Sequence, residues 1–456
     1  MIPASDLTTK VETIERHLDG GVIWPGDPHY DATRALAFPR VDPRPVAILR
    51  PRTPEAVRTA VERLVGEGVP FAVRGGGHSP AALAAGDGVV VIDTRELKAL
   101  KLDVAGRTAA AQAGLTAGEY TDAAALHGLA TGFGDTPTVG IAGLTLGGGV
   151  GFLSRLHGLT VDSLLGAEVV TADGRQLQVG PDSHPDLFWA LRGGGGNFGV
   201  VTRLDYRLQE VPQVYGGTLV LPATPETVHG LVAAALEAPD ALTTIIMVLK
   251  APPVPFLPPE AHGKPIAIVK ACFVGDRSAG EAALAPLLAT GTPVMAAFDM
   301  MPYPRLLEEP PSEPMSARFA TGFRDRWDTA AASAVLAAID VPATGMRAVQ
   351  LRPLGGAVAR VPVDATAYAH RDRHLLFSIM ASFADPATED GAEAWLHDTR
   401  LAVAEGEAAF ASFLDDWAPG RVPAAYPNGT WERLRQVKRE YDPHNVFRSN
   451  HNVPPA

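Results

Sequence analysis

Three glycine-dense stretches, each beside an apolar run, constrain this chain more than any other feature. The first is Val69-Pro70-Phe71-Ala72-Val73-Arg74-Gly75-Gly76-Gly77-His78-Ser79. Gly68 to Val73 is apolar and bounded by glycine, the pattern of a buried strand. Consecutive glycines then strip the following turn of side chains. Bare glycine takes positive φ and lets its N–H groups approach a ligand closely, and an anionic pyrophosphate suits such a nest. His78 closes the stretch with a group that is both a nucleophile and a hydrogen-bonding partner at neutral pH. A tight loop with an internally satisfied histidine is the other reading.

The second stretch, Gly140-Ile141-Ala142-Gly143-Leu144-Thr145-Leu146-Gly147-Gly148-Gly149-Val150-Gly151, is glycine-dense and apolar together. That texture fits backbone lying against a flat apolar ligand, or else a packing turn. A strand over Leu164 to Thr171, a turn at Asp173-Gly174 and a return over Gln176 to Val179 follow. Ser183-His184-Pro185-Asp186 opens a helix that runs into the third stretch, Arg192-Gly193-Gly194-Gly195-Gly196-Asn197-Phe198-Gly199. Leu204, Tyr206 and Leu208 then alternate with charged residues, as in a half-buried strand. The arrangement predicts one extended ligand threaded along an α+β domain that ends at Val211-Pro212. A dinucleotide-binding βαβ unit is excluded, although Asp93 ends the next strand, Gly88 to Asp93. Pro80 and Gly86 leave too little room for the helix that such a unit requires. A capped helix does precede the first stretch. Thr53-Pro54-Glu55 starts it, and Val57, Ala60, Val61, Leu64 and Val65 share one face.

At 456 residues the chain is too long for one core, so two or three domains are expected. A net charge of −12 with no basic block argues against nucleic acid or anionic membrane as partners. Cys272 is the single cysteine, which rules out an intrachain disulfide and a multi-cysteine metal site. No signal-peptide core or membrane-spanning apolar run is evident, so a cytoplasmic protein is expected, and no metal site is expected either. From Tyr215 onward strands alternate with alanine-rich helices, interrupted by proline-rich loops at Ala251 to Pro259 and Pro302 to Pro314. Gln350 and Arg352 flank Leu351 and share one strand face, which lines a cavity or meets solvent; solvent is favoured from the pattern alone. Trp431 to Tyr441 reads as an amphipathic helix stopped by Asp442-Pro443, and Asn445 to Asn452 as a tail docked on another domain.

Four motifs in this order carry a resemblance: Arg74 to His78, Pro137 to Gly151, Gly193 to Val200, and Tyr441-Asp442-Pro443-His444-Asn445-Val446-Phe447. Together they resemble the FAD-linked oxidases of the vanillyl-alcohol oxidase superfamily. Within it the chain is similar to the berberine-bridge-enzyme-like group, above all its bacterial 6-hydroxy-D-nicotine oxidase-like members. The resemblance spans nearly the whole length. It implies an α+β architecture: a PCMH-type FAD-binding domain of two α/β subdomains, with an inserted substrate domain whose antiparallel sheet is flanked by helices. Residues 1–212 would form the FAD domain, 213–415 the substrate domain, and 416–456 a segment returning to the FAD domain. It also implies that His78 is bonded to the 8α-methyl carbon of FAD and that the Arg74, Gly75, Gly76, Gly77 and Ser79 backbone holds the pyrophosphate. Gly140, Gly143, Gly147, Gly148, Gly149 and Gly151 would pass along the ring and pyrophosphate. Val200 would lie by the adenosine, and Asn450 or Asn452 near the far side of the ring. A small-molecule substrate and dioxygen would be the partners of a monomer or homodimer.

Departures from the family pattern sharpen the expectation. Many relatives carry a second flavin-linking cysteine just before the proline matching Pro137; Thr136 stands there, so one covalent link is expected. Leu144 replaces a histidine common in the family, as it does in the 6-hydroxy-D-nicotine oxidase-like members. Gln350 lies on the strand where many relatives place a carboxylate, and Gly429 where others place a second tyrosine. Both usual bases are therefore missing. The implied reaction is hydride transfer from a carbon bearing an amine or hydroxyl to flavin, with dioxygen reduced to hydrogen peroxide. An alcohol needs a base as the hydride leaves, whereas a free amine needs less help, so the pattern leans toward an amine or toward Tyr426 as base. Tyr426 is equally read as a packing residue. Gln350 and Arg352 are candidate cavity residues, and Arg352 a candidate for binding an anionic group or stabilising reduced flavin. A dehydrogenase, a tailoring oxidase with another acceptor, and a flavin-binding protein without turnover remain the alternatives.

Overall fold

The computed structural model describes residues 4–255, 257–307, 315–343, 345–415 and 419–456. Part of each proline-rich loop, Phe256 and residues 308–314, lies outside that set. Thr53 accepts the Ala56 N–H and starts the helix Pro54–Gly66, with proline setting its first turn. Its buried Val57, Ala60, Val61 and Leu64 pack on a four-stranded sheet, in the order Gly20–Ile23, Ala47–Pro51, Val90–Asp93, Phe71–Arg74. The last three strands are parallel, and the chain forms no helix between Phe71–Arg74 and Val90–Asp93. The first glycine stretch is therefore a loop leaving the end of an edge strand.

A second, antiparallel sheet orders its strands Leu100–Asp103, Thr108–Gln112, Val200–Arg207, Leu164–Val170, Gln176–Val179. Tyr120, Phe133 and Tyr206 meet edge to face in its core, with ring centroids 4.9 to 5.7 Å apart. Pro185–Leu191 and the C-terminal Thr430–Tyr441 bury their apolar faces in the same core. The third sheet is a seven-stranded antiparallel layer, ordered Met295–Met301, Val214–Pro222, Pro265–Phe273, Leu242–Lys250, Arg347–Pro353, Leu375–Ser382, Ala317–Arg324. Helices Pro225–Glu237, Arg277–Leu288, Thr329–Ile339 and Glu389–Val403 contribute to the core with it.

Elsewhere this sheet turns side chains toward the glycine-rich half: Ile245 and Cys272 pack with Phe152 and Leu153. Polar ties reinforce the contact. Arg371 donates from two nitrogens to the two oxygens of Asp162, each at 2.7 Å, and the Arg155 guanidinium donates to the carbonyls of Ala238 and Leu354. His370 stacks on Phe323 with centroids 4.4 Å apart, its Nε2 3.1 Å from the Ala425 carbonyl.

The tail is tied down by one buried cation. Lys438, fully buried, donates to the Asn197 carbonyl at 2.6 Å, the Phe447 carbonyl at 2.8 Å and Asp442 at 2.6 Å. Asp442 in turn accepts the Val446 and Phe447 N–H groups, each at 2.8 Å. Breaking a buried ion pair strands the surviving charge, at a cost of about 3–5 kcal/mol. Asp442→Ala is expected to lower the urea midpoint accordingly, and Lys438→Met/Asp442→Leu, which leaves no charge behind, to lower it less. Stability also has a pH signature. Burial first, then the charge of Arg373, pushes the His370 imidazole down to about 4. An unfolded histidine binds its proton near pH 6.5, so the native state loses up to about 3 kcal/mol as pH falls from there toward 4. Urea titrations across that range are expected to show the loss, reduced in His370→Gln.

Candidate active site

The first two glycine stretches meet backbone to backbone. A Cβ added at Gly76 would lie 2.3 Å from the Gly140 nitrogen, and one at Gly140 would lie 2.4 Å from the Gly76 nitrogen. Neither position admits a side chain. Gly77, at φ +76°, turns the chain so that His78 follows, while the Arg74 guanidinium lies beneath and donates to the Thr33 and Ala35 carbonyls. His78 hydrogen-bonds the Thr138 backbone, which draws the two loops together at the imidazole. Burial, and then the charge of Arg74, lowers the His78 pKa, which favours the neutral ring.

Between the loops runs a cavity of about 420 Å³. Of the expected cofactor positions, Gly75, Gly76, Gly77, His78, Ser79, Thr136, Gly140, Gly143, Leu144, Gly147, Gly149 and Asn450 line it, as do Arg352 and Tyr426. The structure coils Ile141–Leu146 into a short helix within the stretch read as backbone lying against a flat ligand or as a packing turn. Ala142, Gly143, Leu146 and Gly147, at helical spacing, face the cavity.

Six expected positions lie off the lining. Val200 is buried in the core behind the first sheet, with its neighbours Gly199 and Val201 on the cavity instead. A Cβ on Gly148 would press on the Tyr368 ring at 2.8 Å, and one on Gly151 on the Phe133 carbonyl; Gly147 and Gly149 pack as closely, on Ser412 and Thr160, and still reach the lining. Arg74 spends its guanidinium on the carbonyls beneath the loop. Asn452 stands outside the lining, while Asn450 and His451 are on it. Gln350 sits behind Arg352 and accepts from its Nε at 2.9 Å. The solvent-facing reading of that strand face is overturned: Arg352 is 5% exposed, with Nη2 2.6 Å from Asp135 and its guanidinium over the Phe413 ring. Tyr426 is buried and stacked on Trp431, and desolvation pushes its phenol pKa up, away from the range of a base at neutral pH.

Sequence reasoning passed over Asp135, the neighbour of Thr136, and the aromatic wall of Phe38, Phe319, Phe410 and Phe413. Phe38 meets Phe319 edge to face at 4.8 Å, and Phe410 meets Phe413 at 5.1 Å. Phe38, Phe319 and the Phe410–Phe413 pair are far apart in the chain and lie outside the glycine stretches; the charge of Asp135 inside an apolar, glycine-rich run was the one available signal.

Bare glycine backbone leaves room along the cavity for a ligand to lie close against the main chain. An added Cβ at Gly75, Gly143 or Gly196, all on the lining, would meet nothing within 4 Å and so project into the space. A family model described as FAD binding domain matches residues 45–180, and one described as berberine and berberine like matches residues 409–454. The (R)-6-hydroxynicotine oxidase of Paenarthrobacter nicotinovorans is 30% identical over 96% of this chain and 97% of its own length. The glucooligosaccharide oxidase of Sarocladium strictum is 39% identical over 38% of this chain and 36% of its own. The crystal structure of 6-hydroxy-D-nicotine oxidase from Arthrobacter nicotinovorans superposes with a TM-score of 0.85 at 27% identity, covering 96% of this chain and 98% of that one. The fold and cavity are those of the PCMH-type FAD-binding class. The chain belongs to the berberine-bridge-enzyme-like family and is an FAD-dependent oxidoreductase. Gly76→Ala, which forces the two loops apart, is expected to purify without flavin absorbance while far-ultraviolet circular dichroism stays close to wild type.

Proposed function

We propose that FAD is held by a single covalent bond from His78 and that the enzyme oxidises a carbon next to an amine or hydroxyl of a small organic molecule. Dioxygen is the proposed acceptor, giving hydrogen peroxide. The observation that carries this reading is His78 on the wall of the glycine-lined cavity, its imidazole kept neutral by burial and by Arg74. A neutral ring nitrogen is a nucleophile; a protonated one is not. Thr136 offers no thiol for a second bond. Bound FAD supplies a two-electron acceptor, and the protein supplies orientation and proton removal.

The functional division proposed for the chain follows the same lines. Residues 1–212 and 416–456 hold the cofactor through the glycine loops, Asn450 and Tyr426, and 213–415 close the substrate side with Phe319, Arg352, Phe410 and Phe413. Arg352 faces the substrate and Gln350 orients it. Support for an amine or hydroxyl substrate comes from relatives named as oxidases of 6-hydroxynicotine and of glucooligosaccharides. Among the described residues no helix is long and apolar enough to cross a membrane.

Acid precipitation of purified protein beside a His78→Ala variant tests the reading. Flavin is expected in the wild-type pellet alone, with peroxide formed when a reducing amine or alcohol and air are present. Flavin released into the wild-type supernatant would overturn the covalent bond; bleaching without peroxide would replace the oxidase with a dehydrogenase.

A further inference from the structure

We propose that Asp135 is the proton acceptor for the oxidised substrate, an inference that rests on the amine or alcohol oxidation proposed above. Among the described residues on the cavity wall, Asp135 is the sole carboxylate and Arg352 the sole guanidinium. Asp135 belongs to the loop whose Thr138 backbone bonds His78, and Asp135 and His78 both line the cavity. Phe133 anchors that loop in the aromatic core on one side, and Pro137 packs against Gly118 on the other.

The carboxylate is oriented rather than consumed. Arg352 Nη2 donates to one oxygen at 2.6 Å, and the Thr136 hydroxyl donates to the other at 3.3 Å. An aspartate has about four lone-pair sites, and its side chain here is 21% exposed, so acceptor capacity remains toward the cavity. Arg352 is fixed in turn by Gln350, by the Val150 carbonyl at 3.4 Å and by the Phe413 ring. Gln350 on the substrate-side strand is no base, yet the site holds one. The carboxylate comes from the opposite wall, and Gln350 serves the arginine that aims it.

The step balances with the groups named. The substrate loses its C–H bond as a hydride to FAD and its O–H or N–H bond as a proton to Asp135, and the electron pair of the latter becomes the second bond of C=O or C=N. Substrate is oxidised by two electrons and FAD reduced by two. A paired carboxylate suffices because the O–H or N–H turns strongly acidic as the hydride departs. The other titratable groups on the wall are less suited. Tyr426 is pushed up by burial, His78 is committed to the cofactor, and His451 sits by the third glycine stretch, its carbonyl 3.2 Å from Asn197 Nδ2.

A charge-removal cycle read by anaerobic flavin bleaching decides the matter. Wild type, Asp135→Asn, Arg352→Gln and the double variant are mixed with xylobiose, benzyl alcohol, (R)-6-hydroxynicotine and N-methylbenzylamine, and the probe that bleaches wild type fastest is kept. Flavin content and melting temperature accompany each variant. The expected result is a limiting bleaching rate at least about a hundredfold lower in Asp135→Asn, with half-saturating probe concentration changed far less. The double variant, which carries no stranded charge, is expected to keep the wild-type fold by melting temperature and to stay as much below Arg352→Gln. A counter-ion role alone predicts that the double variant bleaches as fast as Arg352→Gln, and that result overturns the proposal, as does Asp135→Asn bleaching at the wild-type rate. Failure of every probe to bleach wild type would instead overturn the oxidation reading, and this proposal with it.

Discussion

Everything at the site depends on how closely the Gly76 and Gly140 backbones approach. At 2.3 to 2.4 Å from an imagined Cβ to the facing nitrogen, a single methyl group on either side would separate the loops. The crossing fixes where His78 emerges, where the short helix Ile141–Leu146 begins, and how wide the cavity between them is. It joins the end of a parallel strand to a loop packed on an antiparallel sheet, so two small subdomains become one cofactor cradle.

The second constraint is the contact between the seven-stranded sheet and that cradle. Its polar ties include buried charges: Arg371 with Asp162, Arg155 with two carbonyls, Arg352 with Asp135. Buried pairs of this kind contribute little net stability against an apolar alternative, yet they punish misalignment, because a displaced partner leaves a charge without water. They therefore fix register between the two halves. Arg352 has a place in both accounts, since the contact that locates the sheet also orients the cavity's carboxylate.

Much of this was legible in the sequence, and the exceptions share a cause. Glycine runs, the Thr53 cap and the Asp173-Gly174 turn act locally, so their strands and helices could be read from spacing. The four-motif pattern carried the family and cofactor. What spacing could not report was which glycine reaches the cavity: Gly147, Gly148, Gly149 and Gly151 look alike in sequence and all four pack closely on neighbours, yet Gly147 and Gly149 line the cavity while Gly148 and Gly151 do not. Strand alternation placed Gln350 and Arg352 on one face correctly, yet whether that face meets water or another domain is a tertiary fact. The aromatic wall and the Asp135–Arg352 pair arise from residues distant in the chain, where no local rule speaks.

A crystal structure of the holoenzyme tests the central claim most directly. Flavin density is expected between the Gly75–Ser79 and Gly140–Gly149 loops, continuous with the His78 ring, with the isoalloxazine turned toward Asp135 and Arg352. Density that breaks at His78, or a flavin whose ring faces away from that pair, would contradict it.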